Sequence, residues 1–409
     1  MAIEDLPIWP FEPTWSKSVT ETLEWLTDVL ASPDGSEQRR TLRFFPRRLL
    51  EYQAIAEGDG RQLLDNLLIT YGDSRWYLPI WYEVNLLDAG VASGASEVFS
   101  ADARNAGLMT VGRVVCFVGD DPYTCELAEI VSVTSTSFIT AAPLTRSWPA
   151  GSRVFPASIA ELTDQPQLDL ATSNAVSTEI RFRILDVQSG NPSGAGDLTD
   201  IYLTFYVMTM EPDYSKKMSK EYERNFVEID NKTSTPERRD DAQRPFTLQQ
   251  YSWSIVGRAQ HRDFGRMLQA LRGRAQPMWV PTFMDDFTLA DDITAGWSLL
   301  VVKRCGFTLA GGPRPDRQDI MIETVSGARY YRRIISTELL GVNEAITIDE
   351  PIPIAYPMED ILRISFMTLM RLNHDTVTIE HEVDTIGISD ALVTFRSAPN
   401  TRNALSAFE

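Results

Sequence analysis

Cysteine and histidine are both scarce in this sequence, at 3 residues each in a chain of 409. Cys116, Cys125 and Cys305 form neither a CxxC pair nor an even framework, which argues against a zinc ribbon or a disulfide scaffold and fits folding in a reducing cytosol. Positive charge is also short: 38 Lys+Arg against 57 Asp+Glu leave a formal charge of -19. Phosphate neutralisation needs clustered cations, so this balance argues against a generic nucleic-acid binder, and an anionic membrane surface would repel the chain for the same reason. No run approaches the roughly 18 consecutive apolar residues of a membrane span. The first residues carry acids and no basic n-region, so no signal peptide is expected and the chain is expected to be soluble. With 43% hydrophobic and 23% charged residues, the composition is that of a globular protein rather than a disordered one.

The length is enough for two or three domains, and an internal repeat narrows that range. Glu12-Pro13-Thr14-Trp15-Ser16-Lys17 reappears as Glu211-Pro212-Asp213-Tyr214-Ser215-Lys216, an offset of 199. At the same offset Arg39-Arg40 meets Arg238-Arg239, Leu49 meets Leu248 and Tyr52 meets Tyr251. The offset then drifts one way: Gly72 with Gly273, Leu78-Pro79 with Val280-Pro281, Pro143 with Pro351, Trp148-Pro149 with Tyr356-Pro357, and Phe182-Arg183 with Phe395-Arg396. Shared turn chemistry would explain isolated prolines but not their conserved order and near-constant spacing. A duplication is therefore expected, with copies from about Trp9 to Asp186 and from about Ile201 to Asn400. As domains, residues 1–187 form the first β-rich unit, 188–200 a linker rich in Gly, Ser, Asn and Pro, and 201–409 the second unit.

Residues Thr22 to Leu30 fit a helix through Val19, Leu23, Leu26 and Leu30, and fit a strand through Leu23, Trp25 and Val29. The Pro33-Asp34-Gly35 turn signal and the alternating segment Arg39 to Ala54 favour the strand, giving a hairpin. Leu63, Leu64, Leu67, Leu68 and Tyr71 then follow helical spacing, and Gly72 stands where a left-handed C-cap belongs. The second copy repeats this with Phe264, Met267, Leu268 and Leu271 before Gly273. Aromatic strands follow, Trp76 to Trp81 and Met278 to Phe283, each holding a proline that suggests an edge or a bulge. Further short strands are expected at 112–119, 126–133, 137–141, 299–302, 333–337 and 345–348, with closing strands at 178–184 and 391–396. The fold class expected is mainly β: two tandem related sandwich or barrel domains, each with one packed α-helix.

Candidate chemistry is sparse. Gly194-Ala195-Gly196 has no following Lys-Ser/Thr and reads as loop rather than phosphate cradle. His261, His374 and His381 are the only imidazoles, and none sits beside a Ser or Cys in a nucleophile elbow. The segment from His374 to Glu382 is rich in ligand types, but strand alternation puts His374, Glu380 and Glu382 on one face and His381 on the other. Adjacent acids at Asp120-Asp121, Asp240-Asp241, Asp285-Asp286 and Asp349-Glu350 read as turn-forming or solvated rather than a glycosidase pair. Arg39-Arg40, Arg47-Arg48 and Arg238-Arg239 read as strand-face or subunit-contact charges. No catalytic, cofactor-binding or metal residue is assigned, and an enzyme is not expected.

The opening Trp9-Pro10 and Glu12-Pro13-Thr14-Trp15, the stretch Glu21 to Leu30, Gly35 to Arg40, Phe45-Pro46-Arg47-Arg48, Trp76 to Trp81 and Trp148 to Gly151 together resemble tail proteins of long-tailed bacteriophages and prophages. The resemblance covers most of the first copy. The second copy departs from it, with Arg224 where the first has Trp25 and Thr247 near Pro46. What the resemblance implies is a structural part of the tail tip or baseplate, similar to distal tail proteins. Such a protein has a tail-tube-like fold, forms a homo-oligomeric ring under the tail tube, is assembled in the host cytoplasm, and anchors hub and receptor-binding or fibre proteins. It implies no cofactor, no specific nucleic-acid binding and no membrane. With two copies per chain, the ring would be a trimer offering six quasi-equivalent units, or a hexamer lined by one copy. Acids facing its lumen would repel passing DNA. Two other readings compete: a carbohydrate- or receptor-binding module that uses some of the 9 Trp and 13 Tyr as stacking platforms, and a tail-associated hydrolase.

Overall fold

Alternating burial and β-branched Val19, Thr20, Thr22, Thr27 and Val29 make the opening segment extended. The computed structural model describes residues 3–100, 109–186, 198–216, 218–233, 235–383 and 387–398. In it β1 (Val19–Ala31) and β2 (Glu37–Glu57) form the expected hairpin, with Thr20 opposite Glu51 and Ala31 opposite Glu37. Gly35 closes its turn at φ +84°, a conformation glycine reaches without a Cβ penalty, and the Asp34 carboxylate accepts the Ser36 amide at 2.9 Å.

The N-terminal half continues through α1 (Asp59–Tyr71), β3 (Arg75–Pro79), β4 (Asn85–Leu86), β5 (Glu97–Phe99), β6 (Val114–Val118), β7 (Cys125–Val133), β8 (Ser137–Thr140), β9 (Arg153–Leu162), β10 (Leu168–Leu170) and β11 (Ala175–Ile184). The expected linker falls mostly on residues outside the described ones. A small pair, β12 (Ile201–Tyr202) with β13 (Phe205–Tyr206), follows. The C-terminal half comprises β14 (Ser219–Glu223), β15 (Phe226–Ile229), β16 (Glu237–Asp240), β17 (Phe246–Val256), α2 (Gly257–Leu271), β18 (Met278–Pro281), β19 (Leu299–Lys303), β20 (Asp319–Thr324), β21 (Arg329–Leu340), β22 (Asn343–Ile348), β23 (Ile361–Leu372), β24 (Thr376–Val383) and β25 (Ile388–Ser397). The fold is mainly β, built from antiparallel pairs.

One pairing scheme runs through both halves. In the first, β2 lies between β1 and β11, β11 also meets β9 and β10, and β9 meets β3 and β6. From β6 the chain of pairs runs to β7, β8 and β5. In the second, β17 lies between β14 and β25, β25 also meets β23 and β24, and β23 meets β18 and β20. From β20 it runs to β21, β22 and β19. Registers agree as well: Tyr52 faces Ile180 as Tyr251 faces Val393, and the lone bridge Val91–Trp148 has its parallel in Ile293–Tyr356. At the offset of 199 kept along both hairpins, Pro46 corresponds to Pro245, and Thr247, two residues on, corresponds to Arg48.

Each half holds two apolar clusters. Trp9, Leu50, Tyr52, Trp76 and Phe182 centre the first, under α1, and Phe117, Phe138 and Trp148 fill the space among β5 to β8. Tyr251, Trp253, Phe264, Met370 and Phe395 centre the corresponding C-terminal cluster, and Phe287, Ile320, Ile346 and Phe366 the second one there. Strands β9 and β23 were not expected from sequence. Their burial runs are nearly unbroken because both faces meet a cluster, which erases the alternation that marks a half-buried strand.

The glycine expected to cap α1 corrects the sequence reading. Gly72 is right-handed at φ -60°, and its carbonyl accepts the Gln165 amide at 2.7 Å; it is required by close approach, because a Cβ there would run into the Leu68 carbonyl. At the end of α2 the chain does turn left-handed, at Arg272 (φ 49°) and Gly273 (φ 67°).

Candidate functional site

Among the described residues, the two halves meet at a seam built from strand pairing, buried ion pairs and side-chain hydrogen bonds. Edge strand β1 of the first half pairs antiparallel with β24 of the second, from Val19 opposite His381 to Glu24 opposite Thr376. This pairing makes one continuous sheet, in the order β14, β17, β25, β24, β1, β2, β11, β10. Beyond the pairing, the outer part of the β1–β2 hairpin lies on the C-terminal half as an arm. Trp25 leaves its own half and is 3% exposed inside the cluster around Trp253 and Phe264. Its amide donates to the Asp375 carbonyl at 2.8 Å, and the Asp375 carboxylate accepts the Thr27 and Arg274 amides at 2.8 and 2.9 Å. Arg274 returns a hydrogen bond to the Thr27 carbonyl at 2.9 Å. Gly273 lies against this arm, and a Cβ there would sit 2.7 Å from the Trp25 Cβ.

Farther along the arm, Arg371 grips Glu37 with two parallel hydrogen bonds of 2.8 and 2.6 Å, the side chains being only 5% and 8% exposed. Phe246 closes over Gly35, Gln269 donates to the Phe44 carbonyl at 3.4 Å, and the Arg272 guanidinium stands 5.3 Å from the Phe44 ring centre.

At the inner end of the seam a buried charged cluster joins four elements. Glu21 on β1 accepts from Arg48 on β2 at 2.8 Å and lies 3.1 Å from His381 Nε2 on β24. Arg48 also donates to the Tyr82 hydroxyl at 2.6 Å, and the Tyr82 ring stacks flat on His381 at 3.7 Å. Burial alone would raise the Glu21 pKa; the Arg48 charge and the hydrogen bonds from His381 and Arg48 outweigh it and hold the carboxyl well below the usual range. His261, on α2, stacks beyond His381 at 5.6 Å, and burial together with the neighbouring His381 pushes its pKa down to about 4.

His261 Nε2 lies 3.0 Å from Ser389 Oγ, a serine–histidine contact the sequence did not disclose. The same nitrogen lies 3.1 Å from the Gly387 carbonyl, which can only accept. Nε2 therefore carries the proton and is not free to take one from the serine, and Ser389 is fully buried. The pair fastens α2 to the hairpin of β24 and β25.

The other sequence candidates are dispersed. On β24 Glu380 and Glu382 are exposed and His381 is buried, as the alternation requires; His374 is exposed in the preceding turn. Asp121 accepts from Tyr123 and Thr124, Asp286 from the Phe366 amide, and Asp349 from the Arg333 and Glu350 amides, so these acids hold turns and strand ends. Arg48 belongs to the seam, while Arg238 stands over the Phe226 ring at 3.9 Å. Among the described residues no group of three or more His, Cys, Asp and Glu is placed to hold a metal ion. Gly194-Ala195-Gly196 lies outside the described residues. Seven tryptophans, among them Trp9, Trp76 and Trp279, are buried, whereas Trp297 is exposed. A cleft of about 480 Å³ at the base of the β14–β17 hairpin is lined by Arg244, Asp316, Arg317 and Phe366; Arg244 faces Asp316 at 3.7 Å and Arg317 covers the Phe366 ring at 4.1 Å.

No family model and no curated protein matches this chain.

Proposed function

We propose that the protein is a structural component of a phage tail tip or baseplate, a ring-forming part that joins the tail tube to hub and receptor-binding components. The observation that carries the assembly role is the seam: one half receives the other by adding a strand to its sheet and clasping an arm with buried ion pairs, so the unit is built for edge-to-edge addition. The placement in a phage tail rests on the resemblance of the N-terminal sequence. On this reading the halves are two tandem, duplicated tail-tube-like domains, and the chain has no catalytic role.

The face of the continuous sheet turned away from the clusters supports a channel lining. It carries Glu24, Glu51, Glu57, Glu179, Glu380 and Glu382, against fewer arginines such as Arg47, Arg181 and Arg183. A net acidic wall would let DNA pass without binding it. Antibody labelling of virions tests the placement: electron microscopy should show the label at the end of the tail tube, and label confined to the head or absent from particles would overturn it.

A further inference from the structure

The seam between the halves has a counterpart that the single chain leaves empty. In the continuous sheet the two outermost strands, β14 and β10, each pair on one side only among the described residues. By the shared scheme β14 is the counterpart of β1, because Ser219 faces Gln250 as Thr20 faces Glu51. Likewise β10 is the counterpart of β24, because Leu170 faces Val176 as His381 faces Ser389. Within the chain the pair β1–β24 is made. The equivalent pair, β14 with β10, lies at opposite ends of the same sheet and cannot form within one copy.

We propose that β14 and the arm beyond it, the hairpin of β15 and β16, dock on β10 and α1 of a second copy of this chain, repeating head to tail the seam already present inside it. The register follows from the internal one: Ser219 opposite Asp169 and Lys220 opposite Leu168 of the next copy, as Thr20 lies opposite Glu380 and Glu21 opposite Ile379. This inference deepens the ring reading above and rests on it for the occupant being another copy.

Surface chemistry on both sides fits that occupant. On the arm, Phe226, Val227 and Ile229 are exposed apolar residues in a two-stranded hairpin, which is not stable alone in water. On the receiving side Ile69 of α1 is 85% exposed and Leu170 is 74% exposed. With the buried Leu64 of α1 set against the buried Phe264 of α2, an offset of 200 along the helices, the corresponding places in the C-terminal half are Gln269 and His381, 8% and 2% exposed beneath the first arm and its seam. Charges also match: at the offset of 199 Arg224, paired with Asp240 at 2.7 Å on its own arm, stands in the place of Trp25 and Arg238 in that of Arg39, while the receiving half offers Glu161 in the place of Arg371 and the exposed Asp164 in the turn between β9 and β10. A heterologous contact of this kind closes into a ring when its rotation allows, and closure removes both free edges.

The test is a disulfide trap in the full chain, Ser219→Cys with Asp169→Cys in a Cys305→Ser background, read by native mass spectrometry and non-reducing gels. The proposal expects wild-type rings and covalent ladders from the double variant alone. It also expects Arg224→Glu to weaken association at least about tenfold, since like charges in an interface cost several kcal/mol, and Asp164→Arg to restore it. A chain that is monomeric at every concentration, or an oligomer that neither cross-links through this pair nor responds to the charge swap, overturns it. The arms separate from the virion test: cross-linked rings absent from tails would refute the phage placement and leave the pairing standing, and labelled tails without the cross-link would do the reverse.

Discussion

Helices α1 and α2 occupy the same place in the shared scheme, yet α2 buries Phe264, Met267, Leu268, Gln269, Ala270 and Leu271 whereas α1 buries only Leu64. The helices do not differ because one sequence is more apolar: α1 carries Leu63, Leu64, Leu67, Leu68 and Ile69. They differ because an arm from the other half lies across the end of α2, whereas the contacts α1 receives among the described residues, such as Tyr123 on the Asp59 carbonyl and Gln165 on that of Gly72, come from its own half. Burial in this fold is thus set as much by what a unit receives from its neighbour as by its own packing. The difference between Trp25 and Arg224 has the same origin. Trp25 contributes nothing to the core of its own half and fills that of the other.

The largest effect should come from emptying that donated pocket. Trp25→Ala is expected to destabilise the chain by about 3–5 kcal/mol, as large-to-small changes in cores do, seen as a lower urea midpoint. The counterpart Arg224→Ala should shift the monomer by no more than about 1 kcal/mol, because Arg224 is exposed and the ion pair it loses, with Asp240 at 2.7 Å, is reached by solvent. Equal costs at the two positions would break the comparison.

Next in size is the clasp. Arg371→Ala leaves Glu37 buried without its partner and should cost about 3 kcal/mol or more. The double variant with Glu37→Ala should recover part of that loss, because the stranded carboxylate is then gone; a double-mutant cycle in urea measures the coupling. Loss confined to the C-terminal half in hydrogen exchange would show that the arm secures the half it covers.

Acid should open the seam before it unfolds the rest. Glu21 is held below its unfolded value of about 4.3, so its contribution is present above that pH and lost as pH falls. His261 is held down at about 4 against an unfolded 6.5, so the unfolded chain takes up the proton first and stability declines as pH falls from about 6.5 through 4. Both groups act in the same direction, and His261 alone accounts for a change on the order of 2 kcal/mol. A urea midpoint that is flat between pH 7 and 4.5, or a decline unchanged in His261→Asn, would contradict this.

Much of the scheme was legible in sequence because it is carried by local signals: the Pro33-Asp34-Gly35 turn, the leucine spacing of α1, and the collinear Glu-Pro, Tyr and Trp-Pro matches. The long-buried strands β9 and β23 were not, since burial on both faces leaves no period to read. The seam was invisible for another reason. Glu21, Arg48, Tyr82, His261 and His381 come from five separate stretches, and nothing in the spacing of any one announces the others. One signal was available: at the offset of 199 the C-terminal half has Arg224 where the N-terminal half has Trp25, a departure that marks a residue used outside its own half.

The smallest effect sharpens the comparison most. Ile69 stands 85% exposed in the single chain, in the place of Gln269, so Ile69→Gln removes no packing there and should change the monomer's stability by no more than about 0.5 kcal/mol. Gln269→Ala, by contrast, removes the donor to the Phe44 carbonyl beneath the first arm and should cost about 1 kcal/mol. The contrast then depends on concentration. If a second copy covers α1, Ile69 becomes a buried apolar contact in the assembly, and Ile69→Gln should raise the concentration at which the ring dissociates while leaving the monomer's urea midpoint in place. A variant that shifts the urea midpoint and not the dissociation would mean that Ile69 already has its cover within one chain.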